Sequence, residues 1–134
     1  MAEEKPANNK SAALLIAHGS RLDAANQDLA ALAQQLRSRR IYPIVEIAFL
    51  ELAEPTILDA GKTCVQEGAA RVYLLPYFLS AGAHVSHDLE NYRRQLSAEF
   101  PLVCFTLCKP LSSHPLLIEI VIDRLRESSQ SDLG

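Results

Sequence analysis

No apolar run in this chain reaches the roughly 18 residues needed to cross a bilayer. The stretch from Met1 to Ser11 is polar and has no signal-peptide core. A soluble, cytoplasmic protein without a membrane partner is expected. Basic runs are also missing. The formal net charge is −3, and Lys/Arg residues cluster only as the pairs Arg39-Arg40 and Arg93-Arg94, so nucleic acid is not an expected partner. The three cysteines, Cys64, Cys104 and Cys108, form no CxxC pair and lie in or beside apolar segments. They read as reduced packing residues, not ligands or disulfides. There is no GxGxxG, no P-loop pattern and no GxSxG. Nucleotide binding and the usual serine-hydrolase elbow therefore lack support.

What is present is a 134-residue chain of 49% hydrophobic content, enough for one domain with a real core and too little for two ordinary ones. The expected organisation is a disordered tail over 1–11, a single domain over 12–127 and a second tail over 128–134. Ala12–Ala17 is a continuous apolar run that suits a central parallel strand buried on both faces. Leu29, Leu32, Ala33 and Leu36 recur at helical spacing within Leu22–Arg40. Ile44–Leu50 is a second strand, and Pro55 at a first helical position opens a helix that Gly68 stops. Arg71–Leu79 is the third strand, His84–Phe100 the third helix and Leu102–Leu107 the fourth strand. Ser113 then caps a last helix from His114 to about Glu127. Alternation of this kind implies βαβ units with right-handed crossovers. The fold class is α/β, a three-layer α/β/α arrangement around a four-stranded parallel sheet of order 2-1-3-4.

That order puts three strand-end loops side by side, because adjacent strands lie about 4.8 Å apart. They carry His18, Glu51 and His84, where open parallel sheets bind ligands. Two imidazoles on neighbouring strand ends can share one divalent ion at about 2.0–2.1 Å, leaving open positions for water or for a substrate that takes the metal away. Glu51 can add an oxygen or act as a base. Read one at a time, each histidine is equally well a hydrogen-bonded structural residue.

Four blocks in order, HGSR after the first strand, VEIAFLELAEPTI, LLPYFLSAGAHVSHDL and KPLSSHPLLIEIVIDR, resemble the small-form sirohydrochlorin chelatase family. Its members insert cobalt, iron or nickel into sirohydrochlorin-type tetrapyrroles. The resemblance runs from about Leu14 to Arg126. It implies a chelatase-like fold related to one lobe of two-lobed ferrochelatases, and a metal held by His18 and His84. Glu51 falls at the glutamate of the family's F-x-E-x-x-x-P block, with Phe49 and Pro55 around it. His87, one helical turn past His84, departs from the family pattern, which Asp88 matches. His114 reads as a polar helix-start residue. No histidine-rich loop or cysteine-rich tail is seen.

The expected activity is therefore insertion of Co²⁺, Fe²⁺ or Ni²⁺, a substrate ion and not a resident cofactor, into sirohydrochlorin. The alternative is a non-catalytic tetrapyrrole carrier or divalent-metal chaperone. Backbone N–H groups at Gly19-Ser20 and at Ser80-Ala81-Gly82-Ala83, near helix N-termini, suit the carboxylate rim of the macrocycle, with Arg21 as an added cation. Coordination needs neutral imidazole, so activity should fall when the histidines are protonated. The last helix carries apolar residues at 116, 117, 118, 120, 121, 122 and 125, a stripe wider than one sheet face requires. A homodimer is expected from it.

Overall fold

The computed structural model describes residues 10–112 and 114–133. Its centre is β1 (Lys10–Ala17), whose Ala12 to Ile16 are all buried. Alternate side chains of this strand enter cores on opposite faces of the sheet, which is what its unbroken apolar run requires. The chain continues through α1 (Asp23–Arg39), β2 (Ile44–Phe49), α2 (Ile57–Gln66), β3 (Ala69–Pro76), α3 (Ala83–Glu99), β4 (Cys104–Leu107) and α4 (Leu117–Leu133). The strands are all parallel in the order β2-β1-β3-β4, the expected sheet.

On one face α1 lays Leu29 and Ala33 against Leu15, Val45 and Phe49. On the other, α2 and α3 bring Ile57, Ala60, Cys64, Leu89 and Leu96 onto Leu14, Ile16, Val72, Leu74 and Phe105. These two helices meet closely at Gly61, where an added Cβ would lie 2.7 Å from the Leu96 side chain. Cys64 is fully buried, and burial, with Glu46 and Glu67 nearby, pushes its thiol up to about 12. It packs, as expected. Cys104 does not, because it sits exposed on the edge strand β4.

Several boundaries differ from the sequence reading. The first strand begins at Lys10, inside the stretch expected to be a disordered tail, because Lys10 and Ser11 pair with Ala69 and Arg71 of β3 across a register shift. The rest of that tail, residues 1–9, lies outside the described residues. Pro55 is not the first residue of α2. Its carbonyl accepts the Phe49 N–H at 2.9 Å, and Thr56 pairs with Phe49 in an isolated bridge, which keeps both extended. Thr56 then caps the helix by accepting the Asp59 N–H on its hydroxyl.

The third strand stops at Pro76 and not at Leu79: the Tyr77 N–H still donates to the Ile16 carbonyl, and beyond it the chain leaves the ladder. The fourth begins at Cys104, two residues after Leu102, because the Val103 N–H turns back to the Phe100 carbonyl. The last helix starts at Leu117, after a turn in which His114 Nδ1 accepts the Leu116 N–H. Its expected cap, Ser113, lies outside the described residues. This helix also continues past Glu127 to Leu133, through the stretch read as a tail, with no Gly or Pro to stop it and with the Ser129 hydroxyl bonded back to the Leu125 carbonyl. No described helix is long and apolar enough to cross a membrane.

Candidate functional site

Parallel register sets the geometry of the carboxyl edge. Ala17 pairs with Phe49, and Ile16 with Pro76, so β2, β1 and β3 end level with one another. The ladder carries on into the loops. The Leu50 N–H donates to the Ala17 carbonyl at 3.0 Å, the Glu51 N–H to the His18 carbonyl at 3.0 Å, and the Tyr77 N–H to the Ile16 carbonyl at 2.6 Å. His18 is thus held between the Glu51 loop and the Tyr77-Phe78 segment.

Gly19 is what lets the first two loops meet. Its φ is +97°, and a Cβ there would come within 1.7 Å of the Glu51 carbonyl oxygen. Any side chain would collide with backbone that cannot move away cheaply. The turn beyond it is tied down by Asn26, whose side chain accepts the Ser20 N–H at 3.0 Å and donates to the Ser20 carbonyl at 2.7 Å. The Ser20 hydroxyl accepts the Leu22 N–H. The Ser20 N–H, read from the sequence as a contact for a carboxylate, is therefore already taken, while its hydroxyl proton remains available.

The His18 ring is exposed and stacks on Phe78, with centroids 4.6 Å apart and planes 32° apart. Phe78 packs in turn on the core beneath α2 and α3, so an aromatic support fixes one side of the imidazole. On another side a cleft of about 260 Å³ opens between Ser20, Asn26, Asp28 and Tyr77. A larger cleft of about 510 Å³ lies past Ser20 and includes Arg21, Phe49, Leu52 and Glu54, but none of His18, Glu51 or His84. Arg21 is exposed on its rim.

The third loop runs through Ser80, Ala81 and Gly82 into α3. Gly82 is its N-cap and supplies no side-chain cap. The first-turn N–H groups of Ala83, His84 and Val85 consequently have no intrahelical acceptor and face outward with the positive end of the helix dipole. His84 is the second residue of that turn. His84, His87 and Asp88 are all exposed.

Glu51 proves exposed as well, so burial at a strand end gives it no special status. No hydrogen bond joins the side chains of His18, Glu51 and His84 among the described residues, and no group of three His, Cys, Asp or Glu side chains there is arranged to enclose a metal ion. The edge therefore offers separate imidazoles on adjacent loops. It is not a closed, metal-retaining cage. His114 lies in the turn before α4, and its Nδ1 is engaged by backbone.

The sequence reading passed over Phe78 and Asn26. The first was counted only as part of an apolar run. The second had a visible signal, a poor helix former placed in the opening turn of a helix, where such side chains bond to nearby backbone.

Two groups with displaced titration, Glu46 and Cys64, lie at the opposite end of the sheet. Desolvation and a hydrogen bond with Glu67 raise the Glu46 carboxyl above its usual range, and Arg37 lowers it by less. Arg37 also donates to the Val45 carbonyl at 2.7 Å.

Residues 12–128 match the CbiX family. The chain is 38% identical over 113 residues to the chloroplastic sirohydrochlorin ferrochelatase of Arabidopsis thaliana, covering 84% of this chain and 50% of that protein. It superimposes on the sirohydrochlorin chelatase SirB of Bacillus subtilis subspecies spizizenii, solved in complex with cobalt, with a TM-score of 0.80 and 31% identity over 88% of this chain and 50% of the other. A CbiX protein of Marinobacter aquaeolei matches with a TM-score of 0.77 and 26% identity, over 90% of this chain and 98% of the other. The chain spans about half the length of the first curated relatives it matches.

Proposed function

This chain belongs to the CbiX family, and from that premise we propose that it inserts a divalent metal ion into sirohydrochlorin, with cobalt, iron or nickel as the ion. The observation that carries this reading is the pair of exposed histidines on loops after neighbouring, level strands, His18 after β1 and His84 opening α3. Two imidazoles leave at least half of an ion's coordination positions open, which suits an ion that must be handed on. The metal is a substrate, and no resident cofactor is needed.

In this reading the ion docks on neutral His18 and His84, with Phe78 keeping the first ring in place. The macrocycle lies over the edge, its carboxylates against the free N–H groups of the first α3 turn and against Arg21. Ser20 contributes its hydroxyl, and the small residues Ser80, Ala81, Gly82 and Ala83 let a flat ring approach. As the dication enters, two pyrrole protons leave, so net charge at the ring centre is unchanged. Exposed Glu51 or a histidine is the acceptor that passes them to water. The small clefts and the lack of a cover among the described residues suit a working unit of two chains. We assign it as a homodimer acting in the cytoplasm, supported by the exposed apolar residues of the last helix, among them Ile118, Ile120, Val121 and Leu125.

The test is turnover. Sirohydrochlorin and each of Co²⁺, Fe²⁺ and Ni²⁺ are mixed with substoichiometric protein and followed by absorption. Many equivalents of metallated product are expected with at least one ion. A rise that stops at one equivalent would make the protein a carrier.

A further inference from the structure

His87 is the histidine to which the reading above gives no task. It lies on α3 three residues past His84, and both are exposed. Of the chain's four histidines, only His114 has a side-chain hydrogen bond among the described residues, so no such bond holds the ring of His84 or His87. The buried residues of α3, Leu89 and Leu96, mark the side turned to the sheet. At 3.6 residues per turn His84 stands about 130° around the helix from that side, and His87 about 170°. His87 is thus on the outermost line of α3, with His84 about 60° away from it.

Three residues apart on a helix, two Cβ atoms are about 5–6 Å from one another. Two nitrogens on one ion, each bonded at about 2.1 Å, are at most about 4.2 Å apart. Exposed rings close that difference by turning about their own side-chain bonds, and helical bundles place metal ligands at this same i, i+3 spacing. Asp88, one turn past His84 on the same exposed stripe, adds a carboxylate that draws cations toward the pair. The three imidazoles do not make one site, because no group of three His, Cys, Asp or Glu side chains among the described residues is arranged to hold an ion. His18 stands apart at the neighbouring strand end, its ring fixed on Phe78 at 4.6 Å. What the histidines can make is two pairs that share His84.

We propose that His87 and His84 form an outer pair that receives the ion from solvent, and that His84 then turns with it to His18. This deepens the reading of the His18–His84 edge and rests on it. In the handover a bond from His18 to the ion forms as the one from His87 breaks. Two imidazoles hold the ion before and after, and no electron or proton is transferred. The positive end of the α3 dipole opposes a cation, which keeps the outer pair weak, as a place of transit needs to be. With a macrocycle over His18 and His84, the outer line of α3 still faces solvent, so an ion can enter from the side.

The outer pair is tested with Zn²⁺ alone, a diamagnetic ion that takes imidazole ligands, on protein without tetrapyrrole. Imidazole ring signals are followed by NMR and assigned by removing one histidine at a time. In His18→Ala the inner pair is gone, and the His84 and His87 signals should still move together as Zn²⁺ is added, while those of His114 stay in place. In the double variant His18→Ala, His87→Gln, the Zn²⁺ concentration that moves His84 should rise by about 10-fold or more, a loss typical of even an outer-shell partner. An equal response of His84 in the single and the double variant, or none in the single variant, would overturn the pair. A His114 response at the same concentration would reduce the effect to general histidine binding and overturn it too. In turnover, His87→Gln should raise KM for the metal by about 10-fold and lower kcat by less. An unchanged KM would refute the handover. The Zn²⁺ titration needs no metal insertion, so failure of the chelatase reading and failure of the outer pair are distinguishable.

Discussion

The two ends of this sheet carry similar chemistry in opposite settings. At the carboxyl end, His18, Glu51 and His84 are exposed, on loops held by backbone hydrogen bonds. At the amino end, Glu46 and Glu67 share a hydrogen bond beside buried Cys64, with Arg37 nearby. Displaced titration often marks functional sites, but the shifts of Glu46 and Cys64 fall at the end away from the exposed histidines. Its cause is desolvation, which raises Glu46 and Cys64 alike. The comparison teaches that the shifts of Glu46 and Cys64 report burial, while the groups of the carboxyl end stand out by their access to solvent.

The sharpest way to break that comparison is to remove a donor from the open end. His18→Ala or His84→Ala should each lower metal insertion by about 100-fold or more, since loss of even an outer-shell partner commonly costs 10–100-fold. The unfolding midpoint should hardly move, because both side chains are exposed. Unimpaired insertion by either variant would remove the metal assignment.

Gly19→Ala should damage both properties together. Its Cβ meets the Glu51 carbonyl and its φ is +97°, so a loss of about 3 kcal/mol in urea unfolding is expected, with insertion falling too. Intact stability would mean that the two loops are not coupled as described.

Glu51→Gln keeps the loop and removes the base. It should slow insertion by about 10-fold, with tetrapyrrole binding followed by fluorescence little changed. Equal rates would leave Glu51 with a structural role.

The smallest effect belongs to the closed end. Glu46 has a folded value raised above 4.5. Its favourable contribution is therefore fully present below 4.5 and is lost as pH rises through the raised value. Glu46→Gln does not lose it, so the variant should gain on the parent in urea midpoint between pH 4 and pH 7, with insertion unaltered. A constant difference across that range would contradict the assignment.

Much of the fold was legible because β1 and the helix periodicities state it in apolar residues. The order of the sheet followed from short connections and crossover handedness, and from that order the neighbouring positions of the loops that carry His18, Glu51 and His84. What stayed hidden depends on contacts between segments distant in sequence. Pro55 looked like a helix opener because nothing local reveals that Phe49 bonds to its carbonyl. Cys104 looked like a core residue because its apolar strand gave no sign that one side would be bare. The continuation of α4 past Glu127 was missed because ESSQSDL is polar, whereas a helix without apolar contacts needs only the lack of a breaker to continue. Phe78 could be recognised as a support for His18 only once the two loops were adjacent.

The clamp of Asn26 on Ser20 has a consequence for timing. Ordering a loop residue costs about 1–2 kcal/mol of conformational entropy, and here two hydrogen bonds, with the Gly19 turn and the Phe78 stack, offset that cost when the chain folds. The His18 loop is therefore held by contacts of its own chain, and in the proposed reading it is stiff before any ion arrives. Capture need not wait for a loop to close, and release need not wait for one to open. An ion held by such a preorganised and uncovered donor exchanges at a rate set by its own ligand bonds, so different metals would pass through this edge at different speeds without any change in the protein.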